Sequence, residues 1–143
     1  MGPDIVIREP VIGGQRLDDR APTVAVVEDN PSMLRSIQRL LNAEGFSVEP
    51  FVSAEAFLNG DGSSRASCIV LDIHLPGMSG LELRSQLKAL GSKVPVIFIT
   101  AINDDAPRSA AKLLGCVAYL NKPFAPEALV AAVADALAAA KPT

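Results

Sequence analysis

The sequence is poor in cysteine, in positive charge and in long apolar runs, and each shortage removes a class of function. Its two cysteines, Cys68 and Cys116, each lie inside an apolar run. That placement reads as reduced, buried thiols of a cytoplasmic protein, with no disulfide framework and no cysteine metal site. The formal net charge is −3, which gives no overall attraction for a nucleic acid, so no direct DNA binding is expected. No apolar run approaches the length of a membrane span, and no membrane contact is expected. The N-terminus lacks the basic-then-apolar order of a signal peptide. Gly2 is not followed by Ser or Thr at position 6, which removes myristoylation. What remains is a chain of 143 residues, 49% of them hydrophobic. That is enough apolar material for one domain with a real core.

Residues 1–22, "MGPDIVIREPVIGGQRLDDRAP", mix proline, glycine and charge and read as a tail or arm. Within them "DIVIREPVI" could form a short extra strand. From Thr23 the pattern becomes regular. "TVAVV" is a solidly apolar run suited to a strand buried on both faces. Asn30-Pro31 supplies a cap and a first-turn proline, and Met33, Leu34, Ile37, Leu40 and Leu41 recur at helical spacing up to Gly45. "FSVEPFV" reads as a second strand near an edge, because Pro50 has no N–H for a ladder. "SAEAFL" is a short helix and "NGDGSSR" a loop. "CIVLDI" is a third strand, and Leu81, Leu83, Leu87 and Leu90 suit the helix after it. "VPVIFIT" is a fourth strand, "DDAPRSAAKLLG" an alanine-rich helix, "CVAYL" a fifth strand and "PEALVAAVADALAAA" a closing helix.

Strand and helix alternate throughout, with apolar strands. That order predicts an α/β fold: a doubly wound, five-stranded parallel sheet with helices on both faces. Right-handed crossovers leave few topologies, and the flavodoxin-like strand order 2-1-3-4-5 is expected. The domain spans residues 23–141.

Ligands of such sheets bind beyond the carboxyl ends of the strands. There the chain places Glu28 and Asp29, then Asp72, Thr100 and finally Lys122-Pro123. Each has a plain structural reading. Acids before a helix offset its dipole, Asp suits a turn, Thr suits a strand, and a lone Lys is usually solvated. Gathered at one rim, they make a functional set. Three neighbouring carboxylates repel one another unless a cation intervenes. All-oxygen ligation selects a hard ion, and few carboxylates with room for water favour Mg²⁺ over Ca²⁺. Magnesium in turn favours phosphate oxygens. A carboxylate can become an aspartyl-phosphate, Thr100 can hydrogen-bond a phosphoryl oxygen, and Lys122 can neutralise another. Phosphoryl transfer is the chemistry this set is equipped for.

These residues resemble the receiver domains of bacterial two-component response regulators. "VAVVEDN" is similar to the family's first strand and acidic pair, and "IVLDIHLPGMSGLEL" to its phosphorylation strand and following loop. "VPVIFITA" and "AYLNKPF" are similar to its switch-threonine and lysine-proline segments. The wording "LPGMSGLEL" most resembles the FixJ-like group. The resemblance implies that Asp72 accepts a phosphoryl group from a phosphohistidine, on a sensor histidine kinase or a histidine phosphotransfer protein. It implies Mg²⁺ held directly by Asp29, Asp72 and the backbone carbonyl of His74, with Glu28 acting through a metal-bound water. Lys122 would pair with the acceptor and then with the phosphoryl group, beside a cis Lys122-Pro123 bond that aims it. Thr100 would move toward the phosphate, and Tyr119 would turn inward behind it. The His74 side chain reads as an exposed loop residue; the sharper reading has it tune attack by water.

The face of the fourth helix, fifth strand and last helix would change shape and dock a downstream target protein, with a homodimer on that face as a further option. Such a domain is a signalling module that catalyses only its own phosphorylation and dephosphorylation. A single-domain regulator is the expectation. A receiver cut from a larger transcriptional regulator or hybrid kinase, or a relay that hands its phosphoryl group onward, is the alternative. A haloacid-dehalogenase-like phosphohydrolase would also use an Asp after a parallel strand, but it needs a second acid two residues on, where His74 stands. A flavodoxin would need a hydroxyl- and glycine-rich phosphate loop where Glu28-Asp29 stands.

Overall fold

A computed structural model describes residues 22–60, 65–101 and 105–140. Of the tail or arm expected over residues 1–22, all but Pro22 lies outside the described residues, including the "DIVIREPVI" stretch that could form a short strand. Among the described residues five strands and five helices alternate: β1 (Thr23–Val27), α1 (Pro31–Ala43), β2 (Ser47–Phe51), α2 (Ala54–Asn59), β3 (Cys68–Asp72), α3 (Gly80–Ala89), β4 (Val96–Thr100), α4 (Asp105–Leu114), β5 (Ala118–Asn121) and α5 (Pro126–Ala140). All strand pairs are parallel, in the order β2-β1-β3-β4-β5. This is the expected flavodoxin-like sheet, and Pro50 stands on an edge strand as a missing N–H requires.

The local chemistry at the starts of α1 and α3 matches the sequence. Asn30 Oδ1 accepts the Met33 N–H at 3.0 Å and Pro31 opens α1. Leu34, Ile37 and Leu41 form its buried stripe. Ser79 and Glu82 cap α3 reciprocally, with bonds of 3.1 and 2.8 Å. The core then divides along the period of two that a strand imposes. Val24 and Val26 face α1 and α5, beside Ile37, Leu41, Leu129 and Val133. Ala25 and Val27 face the opposite side, where Phe57, Leu83, Leu87 and Phe98 pack. Because β1, β3 and β4 are covered on both faces, the polar side chains Glu28, Asp72 and Thr100 emerge at their carboxyl edge.

Two apolar residues stand further out than the sequence predicts. Leu90 is 75% exposed: it caps α3 as the chain turns off at Gly91, whose φ is +84, so the apolar stripe ends at Leu87. Cys116 is only half-buried, because it precedes β5, the outer strand on its side of the sheet. Cys68 is fully buried on β3, and burial pushes its thiol from 9.0 up to about 12. The folded protein therefore holds this proton where the unfolded chain has lost it. The contribution is complete below pH 9 and disappears as the pH rises toward 12, with a slope of about 1.4 kcal/mol per pH unit inside that window. Denaturant titrations from pH 8 to 11 are expected to show the fall, and a Cys68→Ala variant a shallower one.

Candidate functional site

A doubly wound sheet has a crevice where the chain leaves one strand to one side and the next strand to the other. Here the crevice lies between β1 and β3. From β1 the chain crosses to β2 on one flank, while β3 pairs on the other. Val27 is in register with Leu71, so Glu28 follows β1 beside Asp72, the last residue of β3. Asp72 aligns with Ile99, one residue before Thr100 ends β4. Thr100 aligns with Asn121, and Lys122 follows directly. Register alone delivers the groups to one place.

The side chains converge. Glu28, Asp29 and Asp72 each offer a carboxylate oxygen, and these oxygens lie within 4.8 Å of one another. Glu28 is 1% exposed and Asp72 3%, whereas Asp29 is exposed at the mouth. Lys122 Nζ donates to Glu28 Oε1 at 2.7 Å and to Asp72 Oδ2 at 3.1 Å. The second oxygens of these two acids are also engaged: Glu28 Oε2 accepts the Asn30 N–H at 3.0 Å, and Asp72 Oδ1 accepts the His74 N–H at 2.9 Å. The His74 side chain is exposed. Thr100 is fully buried, and its carbonyl accepts the Lys122 N–H at 2.7 Å. The Lys122-Pro123 bond is cis.

Burial pushes the Glu28 carboxyl above its usual range, against the bonds from Lys122 and Asn30, and the Asp72 charge pushes it further. Burial by itself would lower the Lys122 ammonium, but its bonds to Glu28 and Asp72 outweigh that and raise it. Lys122 is therefore a permanent cation at neutral pH. Three carboxyl groups share the site with this one ammonium, which contacts two of them, so the acids outnumber the base. An all-oxygen donor set with that excess and one member exposed fits a hard divalent cation such as Mg²⁺.

Tyr119 lies half-buried on β5, in register with Phe98. Three groups that the sequence did not single out also shape the region. The Arg108 guanidinium stands 4.8 Å from the Tyr119 ring centroid, and its Nη2 donates to Asn121 Oδ1 at 3.1 Å, so α4 is tied to β5. Gly80 N–H donates to the Ile73 carbonyl at 2.9 Å, and an added Cβ would lie 2.2 Å from the Asp72 carbonyl oxygen. Glu55 Oε2 accepts the Met78 N–H at 2.8 Å. The glycine could have been found in "LPGMSG", where four small or turn-forming residues, Pro76, Gly77, Ser79 and Gly80, follow the acceptor strand; the other two carry no periodic signal.

The chain matches known proteins over this same region. The family model described as the response regulator receiver domain matches residues 24–134. The response regulator protein TodT of Pseudomonas putida is 38% identical over 125 residues, which is 87% of this chain and 55% of TodT. The solved structure of the response regulator StyR is similar at 39% identity and a TM-score of 0.78, covering 83% of this chain and 60% of that one. The crystal structure of FixJ-N is similar at 33% identity and a TM-score of 0.77, covering 83% and 95%. The chain thus spans about half the length of the curated relatives it matches. A parallel sheet whose carboxyl rim gathers three acids and a lysine, together with a family match over most of its length, leaves one assignment: the chain belongs to the response regulator receiver domain family.

Proposed function

We propose that this receiver is a phosphoacceptor of a two-component system, taking its phosphoryl group on Asp72 from a sensor histidine kinase or a histidine phosphotransfer protein. The observation that carries the reading is the convergence of Glu28, Asp29 and Asp72 with Lys122 bridging two of them. Asp29, Asp72 and the His74 backbone carbonyl would hold Mg²⁺ directly, and Glu28 through water. Bound there, the cation offsets the negative charge of the phosphoryl oxygens. A carboxylate oxygen of Asp72 bonds to phosphorus as the bond from phosphorus to the partner's imidazole nitrogen breaks, and that electron pair stays on the nitrogen. Lys122 then exchanges a carboxylate partner for a phosphoryl oxygen, with no change of its own charge. Thr100 ends β4 beside Asp72 and supplies a hydroxyl to the same group.

The new dianion favours whichever arrangement lets Thr100 and Lys122 meet it. Tyr119 follows, and the face of α4, β5 and α5 presents a changed surface to a downstream partner, which includes a second copy of the chain. The domain occupies residues 23–141 behind an arm at 1–22 and works in the cytoplasm. A single-domain regulator that docks onto another protein is one placement. The length of the relatives favours the second, a receiver forming part of a longer regulator. The size of the protein in its native cells separates the two.

The experiment is to weigh the intact protein after incubation with acetyl phosphate and Mg²⁺. A receiver gains one phosphoryl group, reversibly. Continuous consumption of the donor without a stable adduct would mark a phosphohydrolase instead, and no gain would mark a scaffold.

A further inference from the structure

The loop from Ile73 to Ser79 carries the His74 carbonyl, and its base is well fixed. Ile73 and Leu75 are buried, the His74 N–H is bound to Asp72, and Gly80 N–H closes on the Ile73 carbonyl at 2.9 Å. Its outer half, around the Pro76-Gly77 turn, is held differently. Among the described residues, one hydrogen bond ties it to an element outside β3 and α3: the Met78 N–H donates to Glu55 Oε2 at 2.8 Å.

Glu55 is a suitable post. It sits in the first turn of α2, where Ser53 Oγ accepts the Ala56 N–H at 3.0 Å. Two residues on, Phe57 is fully buried and meets the Phe51 ring edge-on at 5.2 Å. The helix end that bears Glu55 is therefore anchored in the core. The loop is shaped to receive the carboxylate: Gly77 has a φ of +74, and a Cβ there would lie 2.6 Å from Glu55 Oε2. The bond from Met78 also holds the Glu55 carboxyl below its usual range, so it is ionised at neutral pH.

We infer that Glu55 is a positioning residue of the cation site: from α2 it braces the loop that carries the His74 carbonyl, and so sets the affinity for a divalent cation. The inference rests on the reading of that carbonyl as a ligand. Groups that orient metal ligands without touching the metal commonly govern affinity, because each ligand freed to wander must be ordered again on binding.

The test uses the full chain. Mg²⁺ is titrated into the wild type, Glu55→Ala and Glu55→Gln, followed by amide spectra, and exchange of the Met78 amide is read in metal-free samples. In Glu55→Ala the Met78 amide is expected to exchange about five-fold faster. Its Mg²⁺ dissociation constant is expected to rise by about ten-fold, near the low end for such residues. Glu55→Gln keeps an acceptor oxygen and should restore much of both. The melting temperature should stay within about 5 °C of wild type, since one exposed bond is lost. Unchanged Mg²⁺ affinity in Glu55→Ala, with the wild type binding normally, overturns the inference and leaves the site reading intact. A wild type that binds no Mg²⁺ overturns both.

Discussion

Asp72→Asn is expected to abolish the phosphoryl gain completely, with no residual adduct at Asp29 or Glu28. An amide oxygen is too weak a nucleophile to attack phosphorus at neutral pH. Asp29 is exposed and lacks the lysine contact, while Glu28 is buried behind it and tied to Lys122 and Asn30. Loss of signal would not reflect unfolding. The asparagine is nearly isosteric, its Oδ1 can still accept the His74 N–H, and Lys122, which loses the bond it made to Oδ2, keeps Glu28 at 2.7 Å. Removing one of the crowded negative charges also lowers the repulsion that burial leaves in place. The variant should therefore melt at or above the wild-type temperature while its mass stays unchanged by acetyl phosphate. A variant that still gains a full phosphoryl group would assign the chemistry to another residue.

Gly80→Ala is expected to be the most damaging single-methyl change near the site. The added carbon would lie 2.2 Å from the Asp72 carbonyl oxygen, 2.9 Å from the Asp72 carbonyl carbon and 2.9 Å from Ile73 Cα. All three are backbone atoms, so no side-chain rotation relieves the clash. Asp72 ends a fully buried strand with neighbours on both sides, so it cannot retreat. The loop must open instead, breaking the bond from Gly80 N–H to the Ile73 carbonyl. Overpacking of this kind costs about 3 kcal/mol, the upper end of the ordinary range. For a domain of this size that corresponds to a fall in melting temperature of roughly 10 °C. Thermal melts followed by far-UV circular dichroism measure it. A variant melting within a degree or two of wild type would show that the junction of β3 and α3 is softer than its geometry indicates.

The fold and the rim were legible in the sequence for the same reason. A run buried on both faces shows no period, but "TVAVV", "CIVLD" and "VIFIT" are too short for buried helices and rich in β-branched residues, and each ends where a polar residue appears. Once three such runs are parallel, Glu28, Asp72 and Thr100 must emerge at one edge. The contacts of Glu55 and Arg108 were not legible. Each depends on how a helix is rotated and how far a side chain reaches across a gap, and no periodicity records that. Gly80 stands between the two: "LPGMSG" marks a tight turn, but the constraint on this glycine arises only when the chain doubles back on the carbonyl of Asp72. Leu90 and Cys116 show the opposite failure. Both extend an apolar pattern past the point where the element that would bury them has turned away or reached the sheet's outer strand.

Whether three distant acids share one divalent cation is measured most directly by titrating Mg²⁺ into the metal-free protein and counting ions bound, with no phosphodonor present. One ion per chain is expected, with binding weakened strongly in both Asp29→Asn and Asp72→Asn and growing weaker as falling pH protonates Glu28, whose carboxyl already sits above its ordinary range. Absence of binding at millimolar Mg²⁺, or binding that neither substitution alters, would contradict the account.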